Sequence, residues 1–291
     1  MQLLCAGEAF EDLIFHGLDR IPELGEEVKT DRFTATIGGG AVITAVNAAR
    51  LGMSTHLISA LGDDAMARLK KERVAVTSLR KPNEPHAITA ALSTEDDRAF
   101  VTFNGANTKL EARLARHLAS LSRRSTGIAT ARRRTHLHMC FYPHDCRYWA
   151  DLISKLRKNG ITTSWDFGWN EPLTNDRGLT DLIDALDFVF INAAEALLYT
   201  GSATLDESIP RWRERQAVTI IKMGNQGAVW LAPDRDLLVP APKVKAIDTT
   251  GAGDAFNAGF LVAWMRGKTP RECLTLGNKV GAESTKRAGG I

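Results

Sequence analysis

No stretch of this sequence approaches the ~18 consecutive apolar residues that a membrane-spanning helix requires. Cysteine is scarce. Cys5, Cys140, Cys146 and Cys273 are scattered, with no Cys-x-x-Cys pair, which argues against a disulfide framework and fits a reducing compartment. Charge of one sign is also lacking: 37 Lys and Arg against 34 Asp and Glu leave +3, no electrostatic case for nucleic acid or a membrane surface as partner. The opening MQLLCAGEAFEDLIFHG has no basic n-region and turns acidic at Glu8, Glu11 and Asp12, unlike a secretory signal. The absences predict a soluble, cytoplasmic protein.

Two common nucleotide-binding designs are missing as well. The triplet Gly267-Lys268-Thr269 has Val262 five positions before Gly267 where a Walker A loop needs glycine, and it reads as a helix end. No G-x-G-x-x-G follows the first apolar strand, which weakens a dinucleotide fold.

What is present is alternation. LLCAGE, STHLISALG, THLHMCFY, GITTSWDF, DALDFVFIN and AVTIIKMG read as strands. AVITAVNAARLG and CRYWADLISKLRKNG carry helical spacing between them. Strand and helix in turn predict an α/β fold with a mostly parallel sheet covered on both faces. EVKTDRFTATIGGG and HAITAALSTEDDRAFVTFNG break the rhythm with period-2 patterning, and predict a small separate sheet over a site. The chain is expected to be one domain over 1–291, with lid strands within about 13–36 and 86–104.

The stretch DTTGAGDAFNAGF, Asp248 to Phe260, carries the chemistry. Apolar residues at helical spacing (Phe256, Phe260, Trp264) are core by their period and put a helix start near Gly253 or Asp254. Unpaired N–H groups of that first turn favour an anion, and glycine lets the backbone approach a phosphate closely. The bland reading is a glycine turn with Asp254 as an ordinary N-cap, worth about 1 kcal/mol. The turn is longer than a cap needs, and Asp248 adds a second carboxylate. In phosphoryl transfer such amides stabilise the moving group while a carboxylate deprotonates the attacking hydroxyl.

With these motifs in order, the chain resembles the ribokinase-like (PfkB) carbohydrate kinases over nearly its whole length. CAGEAFEDLI is similar to the family opening and puts Asp12 where sugar hydroxyls are held; RIPELGEEV resembles the lid entry. IGGGAVITAVNAARLG matches the first signature, with Gly38 and Gly39 under the sugar. FINAAEALLYTG resembles the Asn-x-x-Glu element, which implies Asn192 and Glu195 near Mg²⁺ and its waters. IIKMGNQGAV resembles the turn beside ATP, with Lys222, Gly224 and Gly227, and Asn278 falls in the implied adenine pocket. DTTGAGDAFNAGF is the second signature: Asp254 matches the catalytic base, and Gly251, Ala252 and Gly253 the anion hole. The resemblance implies a three-layer sandwich with a small β lid. It further implies ATP and Mg²⁺ and a small-molecule sugar acceptor touched by Asp12, Gly39, Asn104 and Asp166. Separately, an exposed lid edge could pair with a second copy as a homodimer. Asp248 and Thr250 have two readings, a K⁺ site or a turn cap.

Departures bear on the substrate. Ile43 stands where the family usually has asparagine, so sugar contacts are expected to differ there. In WDFGWNEP, Phe167, Gly168 and Asn170 replace the usual Pro, Asn and Arg. His136, His138, Cys140, His144 and Cys146 cluster, but their spacing suits a strand end lining the substrate side better than a metal site, with Tyr142 and His144 near substrate. The arginines at 123–134 read as a solvated face rather than a phosphate patch. A nucleoside kinase of the same fold and a non-catalytic sugar or nucleotide sensor stay as alternatives.

Overall fold

Alternation in the first strand shows how the molecule is layered. In β1 (Gln2–Gly7), Leu3 and Cys5 enter one hydrophobic core while Leu4 and Ala6 enter another, so both faces are covered. The computed structural model describes residues 1–94, 98–123, 134–287 and 289–291. After β1 the chain leaves for two strands of a smaller sheet, β2 (Phe10–His16) and β3 (Arg32–Gly38), and returns through α1 (Gly40–Arg50) to β4 (Thr55–Ser59). Helix α2 (Asp63–Lys71) leads to β5 (Ala75–Ser78), and β6 (Ile88–Ser93) and β7 (Arg98–Phe103) complete the smaller sheet.

Strict alternation follows: α3 (Leu110–Arg123), β8 (Thr135–Cys140), α4 (Cys146–Lys158), β9 (Ile161–Asp166), α5 (Leu179–Ala185) and β10 (Phe188–Asn192). Helices α6 (Ala193–Thr200) and α7 (Leu205–Arg213) precede the meander β11 (Val218–Lys222), β12 (Ala228–Ala232) and β13 (Arg235–Val239). Helices α8 (Ala252–Met265) and α9 (Pro270–Ser284) come last.

The main sheet runs β13-β12-β11-β10-β9-β8-β1-β4-β5. From β11 to β5 neighbouring strands are parallel; the β11–β12–β13 meander is antiparallel. One face is covered by Leu110 and Leu114 of α3 with Trp149 and Ile153 of α4, the other by Val42 and Val46 of α1 with Phe256 and Phe260 of α8. Trp264 packs against that second core, so the aromatics of α8 are core residues as their spacing predicts. Parallel strands direct their carboxyl ends to one edge, where Gly7, Cys140, Asp166, Asn192 and Lys222 close their strands.

The smaller sheet, ordered β3-β2-β6-β7, is the lid. Asp12 pairs in register with Thr36 on one side and Thr89 on the other, so these three share a face. The run CAGEAFEDLI is not one strand. It breaks at Glu8–Ala9, where Glu8 N–H donates to the Cys140 carbonyl and Asn107 Nδ2 donates to that of Ala9. The lid therefore begins at Phe10, earlier than the residue 13 expected. Of the arginine-rich segment, residues 124–133 lie outside the described residues; Arg134 is exposed at the start of β8, the edge opposite Asp166. Among the described residues no helix is long and apolar enough to cross a membrane.

Candidate active site

Helix α8 starts sooner than its sequence suggests. Gly251, at φ 72°, is the N-cap, which puts Asp254 third in the helix. No side chain caps this end, and no hydrogen bond reaches the Asp254 carboxylate among the described residues, so Asp254 is not an N-cap. The first-turn amides are unequally free: Ala252 N–H donates to the Thr249 carbonyl at 3.2 Å, whereas those of Gly253 and Asp254 have no protein acceptor among the described residues. Thr44 Oγ1 donates to the Asp254 carbonyl at 3.1 Å and ties α8 to α1.

The three consecutive glycines are there because two carboxylates lie over them. A Cβ on Gly38 would overlap Asp12 Oδ2. One on Gly40 would stand 2.8 Å from Asp254 Oδ1. Gly39 between them has φ 103°, a conformation that side-chain-bearing residues rarely adopt. Asp12 from the lid and Asp254 from α8 therefore flank one bare turn. Burial pushes the Asp12 carboxyl up to about 6. Asp254 is pushed up to about 7 by burial and the charges of Asp166 and Glu195, with Lys222 opposing.

Behind Asp254 lies an ion pair. Lys222 Nζ stands 2.5 Å from Asp166 Oδ2, which also accepts from Asn257 Nδ2 at 2.7 Å. Asp166 Oδ1 accepts the Gly168 N–H at 3.3 Å. Burial works to raise the Asp166 carboxyl, but Lys222 and Asn257 hold it below the usual carboxylate range. Both Asp166 oxygens thus have partners inside the protein, which fix the position of its charge. Lys222 Nζ also lies 3.2 Å from where a Cβ on Gly253 would be, so its charge sits at the α8 terminus. Asn257 was not singled out from the sequence. The available signal was its spacing, three residues after Asp254 and so on the same helix face.

Asn192 and Glu195 form a capping box at the start of α6: Asn192 Oδ1 accepts Glu195 N–H at 2.8 Å, and Glu195 Oε2 accepts Asn192 N–H at 2.8 Å. Burial and the Asp166 charge raise the Glu195 carboxyl. Gly227 and Asn278 meet at the end of β13. A Cβ on Gly227 would overlap the Val239 carbonyl, to which Asn278 Nδ2 donates at 2.9 Å. Asn278 thus shapes that wall with its backbone partners, while Gly224 lies in open space. Asp248 accepts N–H groups from Thr250 at 2.8 Å and Gly289 at 2.9 Å, joining the turn before α8 to the carboxyl-terminal tail. Asn104, Tyr142, His144 and Asn170 line a cavity of about 710 Å³ at the same edge. His136 and His138 point instead into the core on the α8 face of the sheet, against Trp264 and Phe190, and Ser164 Oγ bonds both rings. No group of three His, Cys, Asp or Glu suited to a metal exists among the described residues.

The model of the pfkB family carbohydrate kinases matches residues 2–291. The chain belongs to that family. Among similar proteins, a nucleoside kinase of Methanocaldococcus jannaschii is 26% identical over 284 residues, covering 95% of this chain and 87% of that protein. An ATP-dependent ribose-1-phosphate kinase of Halopiger xanaduensis is 27% identical over 303 residues, covering 99% and 93%. The crystal structure of a Cryptococcus neoformans ribokinase in complex with ADP superposes with a TM-score of 0.75 at 21% identity, covering 99% of this chain and 94% of that one. The pfkB kinase described here is thus a phosphotransferase of ribokinase-like fold.

Ile43, where the family pattern usually has asparagine, has well-defined surroundings. Ile43 is buried, and its Cδ1 lies 2.7 Å from where a Cβ on Gly251 would stand and 2.5 Å from the same point on Gly290. It packs beneath the α8 turn and the tail, a supporting position for the N-cap of α8. Mg²⁺ takes oxygen ligands, keeps several waters and is commonly held by one or two carboxylates plus substrate phosphates. Glu195, whose oxygens both meet Asn192 beside an anion-ready helix terminus, fits the ordering of such an ion's waters, while Asp166 stays bonded to Lys222, Asn257 and the Gly168 N–H.

Proposed function

We propose that this pfkB kinase moves the γ-phosphoryl group of ATP to a hydroxyl of a small sugar or sugar derivative, with Asp254 as the base. The observation that carries the reading is the Asp254 carboxylate itself: without a capping role, half-buried, and set over Gly40 opposite Asp12. A base poised near neutral pH both accepts the acceptor's proton and returns it to solvent. Asp12 orients the sugar over Gly38 and Gly39. The free amides of Gly253 and Asp254, with Lys222, stabilise negative charge on the transferring group. Mg²⁺, when bound with the nucleotide, would supply charge neutralisation on the phosphates, and Glu195 and Asn192 would order its waters. Lys222, Gly224, Gly227 and Asn278 shape the nucleotide side. In this reading K⁺ would bind near Asp248 and Thr250 and stiffen the turn, and exchange of K⁺ for Na⁺ in the assay tests it. The apolar outer lid face, with Phe33 and Val101 exposed, supports pairing of two copies through the lid.

A nucleoside acceptor is a second reading. The size of the cavity beyond Glu8 favours it, as does the likeness to a nucleoside kinase. A screen of ribose, ketohexoses, aldonates, their phosphates and nucleosides with Mg·ATP decides between acceptors. Asp254→Asn is expected to lower kcat on the best acceptor by ~10²–10⁴-fold with ATP affinity nearly unchanged. Wild-type turnover by that variant would remove Asp254 from the chemistry.

A further inference from the structure

The cavity of about 710 Å³ lies between the chain after β1, the loops after β8 and β9, and the start of α3. Pockets of ~300–1,000 Å³ enclose most of a drug-sized ligand, so the space exceeds the needs of a lone pentose. Its charged lining residues are Glu8, Glu111, Asp176 and His144; among the described residues no lysine or arginine lines it. Two of the three carboxylates are already satisfied. Glu111 accepts His144 N–H at 2.9 Å and Trp149 Nε1–H at 2.8 Å, and its other oxygen meets the His144 ring. Asp176 accepts N–H groups from Gly178 at 2.7 Å and Cys146 at 3.2 Å.

Glu8 differs. No hydrogen bond reaches its carboxylate among the described residues, and burial raises its carboxyl against the opposing pull of His144. Asn107, 7% exposed, repeats the pattern: Nδ2 donates to the Ala9 carbonyl at 3.1 Å, while Oδ1 is buried without a donor. Two hydrogen-bond acceptors border one cavity and neither has a donor from the protein. Glu8 is half-buried and Asn107 Oδ1 is buried at the cavity wall; acceptors in that state take their donors from a ligand or from water.

We infer that the acceptor of this kinase is a neutral or cationic molecule whose distal part donates hydrogen bonds, through hydroxyl or amine N–H groups, to Glu8 and Asn107. Sugar phosphates and sugar acids are excluded. An anionic group in this space would meet Glu8 with Glu111 and Asp176 behind it. No lysine or arginine lines the cavity among the described residues, and the basic groups nearby, His144 beside Glu111 and Arg147 beside Asp176, already face those carboxylates, which leaves a repulsive element of the kind that sets specificity. The inference rests on the phosphotransfer reading above and sharpens its acceptor class.

The test uses matched acceptors on the full chain: ribose against ribose 5-phosphate, glucosamine and glucose against gluconate, and cytidine as a larger donor-bearing glycoside. Binding of each is also measured by calorimetry without ATP. The uncharged or cationic member is expected to lead by at least ~10-fold in kcat/KM and in affinity, as each 1.4 kcal/mol is tenfold. Glu8→Gln should weaken the preferred member, and Glu8→Lys should raise the charged-to-uncharged ratio by at least ~10-fold on the same scale. A wild-type preference for the anionic member by either measurement overturns the inference, as does an unchanged ratio in Glu8→Lys. The wild-type comparison stands even where a variant folds poorly. Selective binding of the uncharged members with no turnover on any of them upholds the acceptor class and tells against phosphotransfer alone.

Discussion

The ion pair of Lys222 and Asp166, at 2.5 Å, joins β11 to β9 across the intervening strand β10 at the carboxyl edge of the sheet. Both side chains are largely buried, at 13% and 10% exposure. Removing one partner of such a pair leaves a buried charge uncompensated, which costs ~3–5 kcal/mol. Lys222→Met is therefore expected to destabilise the fold by that order. Combined with Asp166→Asn it should cost much less than the sum of the two single changes. Urea unfolding of the four proteins measures the coupling, and additive costs would show that the pair does not act as a unit.

The same lysine opposes the rise of the Asp254 carboxyl, which gives a pH prediction with a definite sign. As the proposed base, Asp254 accepts a proton only when ionised, and burial pushes its folded value up to about 7. The kcat/KM profile is expected to fall as pH drops through about 7. Lys222→Met removes a cation that favours the ionised form, so the residual activity should lose its acid limb at a higher pH. Stability carries the opposite mark. The folded value lies above the ordinary 3.8, so the folded state resists ionisation of Asp254, and that penalty is full above the folded value. Asp254→Asn should melt higher than wild type at pH 8, with the gain shrinking as pH falls toward 4. A gain unchanged across that range would mean that the buried charge is not its source.

Most of the fold was legible because parallel strands buried on both faces leave a strong mark: short apolar runs, each followed by a helical pattern. The second signature was legible because a glycine turn before an apolar helix has few other uses. Two features were hidden for a shared reason. Asn257 and the partners of Asp166 come together from α8, β9 and β11, a juxtaposition created by the sheet order and by no local pattern. The identity of residue 43 was visible, but its direction was not: a helix start alone does not reveal whether a side chain faces the acceptor or the turn behind it. Asn192 and Glu195 show the converse, since their spacing is that of a capping box, and the structure makes the cap.

Adjacent glycines allow binding and chemistry to be separated. A methyl group at position 38 would press on Asp12, and one at position 40 on Asp254. Gly38→Ala is expected mainly to raise KM for the acceptor, because in the proposed reading the displaced carboxylate orients the sugar. Gly40→Ala should mainly lower kcat, by ~10–10²-fold, because a base moved from its near-attack position loses rate before affinity. Steady-state kinetics over both substrates tests the split. The assignment of the two carboxylates would be reversed if Gly38→Ala lowered kcat alone and Gly40→Ala raised KM alone.

Ile43 gives the sharpest contrast between a family pattern and a local structure. Restoring the asparagine usual at this place would, on the sequence pattern alone, improve sugar contacts. The structure predicts the reverse. Ile43 is 4% exposed and packs beneath Gly251 and Gly290, with Asn47 Nδ2 donating to its carbonyl at 2.9 Å. An amide side chain there exchanges apolar contact for a buried polar group in need of partners, a cost of ~1–3 kcal/mol. Because the residue it supports is the N-cap of α8, the loss should reach the free amides and lower kcat with acceptor KM little changed. Ile43→Val, which keeps the apolar contact, should cost only ~0.5–1.5 kcal/mol and retain activity. A lower acceptor KM in Ile43→Asn would return position 43 to the sugar-facing role.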